Sequence, residues 1–452
     1  IFLFIFLVAT LSCCTGQKNK KVLAKQPESI NDIHIYPQDP LYYANLFNPD
    51  SLLISHSQQE ELYDRFLKRF YRVWKDSLHL DSPRTQEVMT YHKSEISKLF
   101  KNAGYGENKQ RRDSLFASTI FETADLSDSL NTMRQGIMIS HTDIRVVPSI
   151  KPFFRNFALA GEGYPFDYWQ NSTIPIGTPI FVYHISGNWA LIDSHICSGW
   201  IPRNTYLYLS KDQTQEIMTM PLIAVIKDQT ALFNQNESYV GKGDIGTILP
   251  MLIKEDDNYI IPFFTQNNSQ EGEKQNLVLS VELAVEIPIP MTPINIALLC
   301  TEMMGQVYGW GGMYQNRDCS QTMLDLFAPF GILLPRNSRA QAYNYGVFKS
   351  TKEIAGVSAR KDFIIQNAMP FQTLVRTPGH IMLYIGYIES EPLVFHSMWG
   401  VRTLDKRKQE GRHIIGRTVI TTLEPGKELP NVANQNTLIN RVEGITFIRP
   451  KK

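Results

Sequence analysis

The chain has 452 residues, long enough for several domains, and its 45 Lys+Arg against 44 Asp+Glu leave a formal charge of +1. This near-neutral balance offers no basic face for nucleic acid, and 43% hydrophobic against 20% charged residues excludes wholesale disorder. No uninterrupted apolar run reaches the roughly 18 residues of a membrane span, which excludes a multi-span membrane protein.

Residues 1–14 begin with nine apolar residues, Ile1–Ala9, followed by Thr-Leu-Ser-Cys-Cys. That length suits the hydrophobic region of an export signal. Because no Met and no basic stretch precede it, the front of the signal is expected to be clipped. Small residues before Cys13 and Cys14 resemble a bacterial lipobox, and Leu11, three before Cys14, favours Cys14 over Cys13 as the lipidated residue. A plain secretory signal is the alternative. Polar, Lys-rich residues 15–29 then read as a tether. Export leaves Cys197, Cys300 and Cys319, an odd number, so one free thiol is expected.

Residues 30–132 read as a helical domain. Leu62, Phe66, Phe70 and Val73/Trp74 recur at helical spacing within 57–76, and shorter helices are expected over 91–101 and 113–124. From Gly136 the pattern changes to short strands. Thr178–Ser186, a Gly187-Asn188 turn and Trp189–Ser194 predict a hairpin, closed by Gly199-Trp200-Ile201-Pro202. These features resemble a bacterial SH3-like barrel over 133–210, and a second is expected over 211–290, with strands 222–226, 247–254 and 258–265. Cys197 reads as barrel core and Cys300 as helix core.

The segment Tyr308-Gly-Trp-Gly-Gly-Met-Tyr-Gln-Asn-Arg-Asp-Cys-Ser320 precedes Met323, Phe327 and Phe330 at helical spacing. A helix is therefore expected to start at Cys319, with Asp318 as N-cap and Gln321 completing a pattern like the capping box. A thiol there feels the positive end of the helix dipole, which favours thiolate, and first-turn N–H groups can stabilise an oxyanion. A buried structural cysteine is the competing reading. His380 begins a strand and His396 lies in the next, 16 residues on. With a hairpin turn near Ile388, the even spacing puts both rings on one face. A cysteine with two such histidines has the layout of a thiol hydrolase, His380 as base and acid and His396 orienting it. No histidine or cysteine stands at zinc-ligand spacing beside Cys300 or Cys319, so no metal and no cofactor is expected.

These motifs, with Leu334-Pro-Arg-Asn-Ser338-Arg-Ala-Gln341 and the tail Ile415–Gly426, resemble NlpC-type cell-wall cysteine peptidases over nearly the whole chain. The resemblance implies an α+β, papain-like catalytic domain over 291–452 with the triad Cys319, His380 and His396. It also implies hydrolysis of the bond between γ-D-glutamate and meso-diaminopimelate or lysine in peptidoglycan stem peptides, on a lipoprotein facing the periplasm. Asp318, Ser320 and Ser338 would contact the free L-Ala amine, and Tyr308 and Trp310 would line the cleft. Asp167 and Tyr168 are candidates for a wall, contributed by the first barrel, that restricts access to short unblocked peptides; they are equally readable as barrel turn residues. Gln321 departs from the family's usual glycine and could narrow the cleft. A non-catalytic peptidoglycan-binding lipoprotein, or an N-acetylmuramoyl-L-alanine amidase on the same fold, remains the alternative.

Overall fold

The computed structural model describes residues 29–75, 79–126, 130–266, 272–432 and 437–450; Cys13, Cys14 and the signal and tether readings lie outside these. The N-terminal part is helical because its helices carry their own start signals. Ser55 and Gln58 close a capping box at the head of His56–Phe70, which buries Leu62, Phe66 and Phe70. The single helix expected over 57–76 is broken: Tyr71 leaves helical geometry, and Arg72–Lys75 turns separately to bury Val73 and Trp74. The helix expected over 91–101 runs instead over Pro83–Lys98, because Ser82 caps it and Pro83 fits its first turn. Asp113 caps Ser114–Ala124.

Polar side chains join these helices to the rest of the chain. Arg84 grips the fully buried Asp193 carboxylate with two bonds of 2.8 Å, and Arg72 adds a third at 3.0 Å. The Trp74 indole donates to the Gly136 carbonyl at 3.0 Å. Gln59 donates to the carbonyls of Ile289 and Phe330, at 2.6 and 3.1 Å.

Seven strands between Arg134 and Tyr208 form the first β-unit. Its central hairpin pairs Pro179–Ser186 with Trp189–Ser194 across a two-residue turn, where Gly187 takes φ +53°. Trp200, wholly buried, sits in the closing strand Gly199–Pro202. The second β-unit splits into a five-stranded and a three-stranded sheet. Here the expected strand 247–254 is two: Ile248–Pro250 pairs with Leu222–Val225, whereas Ile253–Glu255 pairs with Asn258–Gln266 in the other sheet. The chain turns a corner at Met251-Leu252, which hydrophobic content alone could not reveal.

The C-terminal part is α+β. Six antiparallel strands run in the order Val347–Ser350, Gly444–Phe447, Thr373–Thr377, His380–Ile388, Glu391–Leu404 and Glu410–Thr422. The Cys319–Phe327 helix packs on this sheet with all nine residues buried. At the far edge, Asp32 of the Asn31–Ile35 helix accepts from the backbone N–H and hydroxyl of Thr422, both at 2.7 Å.

Candidate active site

Cys319 opens its helix because Asp318 caps it: Asp318 Oδ1 accepts from the N–H groups of Ser320 and Gln321 at 3.0 and 2.8 Å. The capping box is only half formed. The Gln321 side chain turns away to Asp325 and approaches Ser172, so it lies buried behind the helix and does not narrow the cleft. Arg336 holds the Asp318 carboxylate with both guanidinium ends, at 3.1 and 2.8 Å, and also donates to the hydroxyls of Ser320 at 2.9 Å and Ser172 at 2.7 Å. Burial by itself would raise Asp318; Arg336 and the cap donors outweigh it and hold the carboxyl below its usual range.

The Gly-rich loop before the helix is shaped by its contact with the first β-unit. Gly311 and Gly312 take φ +61° and +85°, and a Cβ on them would stand 2.5 Å from the Gln170 carbonyl and 2.7 Å from the Thr173 hydroxyl. This close approach lets the Trp310 indole donate to the Asp167 carbonyl at 2.9 Å. Arg317, two residues before the cysteine, is wholly surrounded: it donates to Asp228 at 2.6 and 2.8 Å, to Asp325 at 2.6 Å and to the Ile245 carbonyl at 3.0 Å. The second β-unit is thereby fastened to the catalytic helix.

The two histidines meet through a β-bulge. Ile388 pairs with Glu391, so the turn is Glu389-Ser390, not Ile388. A straight ladder from that turn would put His380 and His396 on opposite faces. The register slips between Tyr384 and Gly386, leaving Ile385 as an extra residue, and beyond the slip both histidines share one face as a diagonal pair. His380 Nε2 and His396 Nδ1 are 2.7 Å apart.

Their protonation follows from the partners. The Thr421 hydroxyl donates to the Thr422 carbonyl at 2.7 Å, so it can only accept from His396 Nε2 at 3.0 Å. His396 therefore carries its proton on Nε2 and accepts at Nδ1 from His380 Nε2. His380 is left with a lone pair on Nδ1. The His380–Ile388 strand packs against the helix that Cys319 opens, and the Ile381 backbone N–H, next after His380, acts to lower the thiol pKa. Burial pushes Cys319 up to about 12, with Asp318 adding to the rise. It brings His380 down to about 4, helped by Arg441 and Arg376, and holds His396 well below its ordinary range. The thiolate expected from the helix dipole is thus overridden by desolvation, and thiol and imidazole rest neutral.

A cleft of about 790 Å³ runs past Cys319. Asp318, Ser320, Ser338, Tyr308, Trp310 and Tyr168 all border it. Asp167 does not: its carboxylate supports the wall from behind, bonded to Arg145 at 2.7 Å and to the N–H groups of Phe153 and Trp169 at 2.8 and 2.9 Å. Cys197, expected in the barrel core, is half-buried and borders the cleft opposite, beside Asn171 and Ile196. Arg336, Thr421 and Ser172 were missed in the sequence. Arg336 stands in the Leu-Pro-Arg-Asn-Ser motif and Thr421 in the Ile415–Gly426 tail, but neither run says which of its side chains meets the catalytic residues; Ser172 lies in a strand outside these motifs. Cys197, Cys300 and Cys319 are all free thiols. Among the described residues no group of three His, Cys, Asp or Glu could hold a metal ion.

Family comparisons match this layout in chain order. The NLPC_P60 stabilising domain matches residues 1–128, an SH3 domain of SH3b1 type 152–202, an SH3 domain of SH3b2 type 210–256, and the NlpC/P60 family 305–416. The chain carries an NlpC/P60 family domain, preceded by the stabilising domain and two SH3b-type domains. Its NlpC/P60 domain thus carries Cys319, His380 and His396, and the β-unit bordering the cleft is the SH3b1-type domain. The chain is similar to the solved structure of an NlpC/P60 endopeptidase from Photobacterium damselae subsp. piscicida, at 26% identity and a TM-score of 0.80 over 92% of this chain and 98% of that one. An NlpC/P60 family protein from Bacillus cereus ATCC 10987 is 16% identical with a TM-score of 0.46, over 70% of this chain and 100% of that one. No curated protein matches the chain.

Proposed function

We propose that this NlpC/P60 hydrolase cleaves the bond between γ-D-glutamate and the diamino acid of peptidoglycan stem peptides by a Cys-His-His mechanism. The observation that carries the reading is the proton chain from Thr421 through His396 to His380, on a strand packed against the helix that Cys319 opens, with Gly379, next to His380, bordering the same cleft as Cys319. In this mechanism His380 Nδ1 takes the Cys319 proton as sulfur attacks the glutamyl carbonyl. The oxyanion is met by the Cys319 N–H, which the Asp318 cap leaves out, and by the Tyr308 hydroxyl, which burial and the nearby Cys319 and Asp318 keep protonated. His380 then returns the proton to the departing amine, and water hydrolyses the thioester.

Enclosure by the SH3b1-type domain supports a preference for short peptides with a free L-Ala amine. Asp318, already saturated by Arg336 and its cap, favours a shared role in which Ser320 and Ser338 also receive that amine. The division at 132, 210 and 290 into helical, SH3b1, SH3b2 and catalytic domains belongs to the same reading, as do export and a lipid on Cys14. Among the described residues no helix is long and apolar enough to cross a membrane.

The test is mass spectrometry of products from L-Ala-γ-D-Glu–diamino-acid tripeptides. Release of L-Ala-γ-D-Glu, abolished in Cys319→Ala, is expected. Undiminished turnover by Cys319→Ala would overturn the mechanism, and cleavage only of sugar-linked stems, before L-Ala, would favour an amidase.

A further inference from the structure

Residues 402–417 concentrate positive charge in a chain whose formal charge is only +1: Arg402, Lys406, Arg407, Lys408, Arg412 and Arg417 stand against Asp405 and Glu410. The fold puts this segment on a projecting hairpin. Its strands are Glu391–Leu404 and Glu410–Thr422, and the neighbouring strand His380–Ile388 pairs along it only as far as Phe395. Beyond Met398 the hairpin is a two-stranded ribbon, steadied by a bridge from Thr403 to Val432. Asp405 Oδ1 holds the turn by accepting from the N–H groups of Arg407 and Gln409, at 2.8 and 2.7 Å. Glu410 bridges Arg402 and Arg412. Both acids of the segment are thus engaged, while Lys406, Arg407 and Lys408 stand exposed at the tip. Nearby Ile414 is exposed, and Arg412 lies against Gly161, in an SH3b1-type loop that also exposes Leu159. Cations with apolar side chains among them suit a surface that meets lipid headgroups.

The course of the chain favours lipid over other polyanions. The Asn31–Ile35 helix lies against Glu410–Thr422, and its Ile33 packs on Met398, Val401 and Val419 at the base of the ribbon. From the Val401–His413 pair, the strand reaches the turn at Leu404, about 10 Å away. Residues 15–29 span at most about 50 Å when extended, and carry Lys18, Lys20, Lys21 and Lys25 against Glu28. A lipid on Cys14 would therefore bring a membrane surface within reach of the tip.

We propose that the hairpin tip formed by Lys406, Arg407 and Lys408 docks on an anionic phospholipid surface and fixes how the enzyme stands on its membrane. The inference goes beyond the hydrolase reading, and it draws on the lipid reading only for a surface within reach. The test is co-sedimentation of the full chain with vesicles of phosphatidylglycerol and phosphatidylethanolamine, and with vesicles of phosphatidylcholine alone. Partitioning onto the anionic vesicles is expected to be about tenfold stronger at low salt, with the difference erased at high salt. Lys406→Gln, Arg407→Gln and Lys408→Gln together are expected to lower partitioning onto the anionic vesicles by about tenfold, with the denaturant midpoint unchanged. Equal partitioning of the wild-type chain onto both kinds of vesicle would overturn the proposal, and this comparison needs no variant to fold. So would a full anionic preference in the triple variant, or a triple variant that loses binding to isolated sacculi but not to vesicles, which would assign the tip to the wall polymer. Cys13→Ser with Cys14→Ser is expected to weaken binding to both kinds of vesicle and keep the anionic preference. Unchanged binding in that variant would overturn the lipid reading and leave the docking standing.

Discussion

His396 is fully buried, and its two ring nitrogens have different partners, Thr421 on one side and His380 on the other. The direction of the Thr421 hydroxyl therefore decides which nitrogen of His380 is free. Thr421→Val keeps the shape but removes the acceptor, allowing His396 to move its proton to Nδ1 and His380 to lose its lone pair toward Cys319. We expect kcat to fall by about tenfold or more with KM little changed, and Thr421→Ser to restore it. Because a neutral His380 is required and burial brings it down to about 4, activity should survive below the usual histidine range. The acid limb of kcat/KM should lie near pH 4, with activity lost as pH falls through that value. A limb near the ordinary histidine pKa of about 6.5 would contradict a buried neutral base. Cysteine and histidines were legible from the sequence by type and spacing; Thr421 was not, because it stands with Thr418 and Thr422 in the Ile415–Gly426 tail and nothing in that run tells which of them meets His396.

At the scale of elements, the hairpin His380–Ile388/Glu391–Leu404 shows how an even spacing can give a sound pairing for an incomplete reason. The turn lies beyond Ile388, and the bulge at Ile385 restores the shared face. Bulges leave little trace in hydrophobic pattern, although Gly386, at φ +131°, marks this one. The Trp310–Gln315 turn is the converse case, since its glycines were visible and their purpose was not. Gly311→Ala would force a Cβ against the Gln170 carbonyl at a left-handed φ. We expect a loss of about 2 kcal/mol or more in denaturant unfolding, with lower kcat/KM as Trp310 shifts in the cleft.

Across the whole molecule, buried ion pairs lock the parts together around the cleft. Asp193 of the SH3b1-type domain is gripped by Arg84 and Arg72 of the helical part. Burial alone would raise its carboxyl, but the two arginines overcome this and hold it low. A depressed carboxylate stabilises the fold above its unfolded pKa of about 3.9, and that stability is lost as pH falls through the lower folded value. Asp193→Ala leaves both arginines without their partner and is expected to cost about 3 kcal/mol, read as a lower denaturant midpoint. Because Cys197, Asn171 and Tyr168 border the cleft from that domain, KM should rise in the same variant.

The sequence by itself determined the order of the parts, the helix start at Cys319 and the residue types of the hydrolytic site, since caps, glycines and apolar periods act over a few neighbouring residues. Only the tertiary structure decided the neutral resting state of the thiol and base and the placement of Arg336 on Asp318. Burial and charge at those points come from segments far apart in the chain, and desolvation there outweighs the local helix dipole from which the thiolate was inferred.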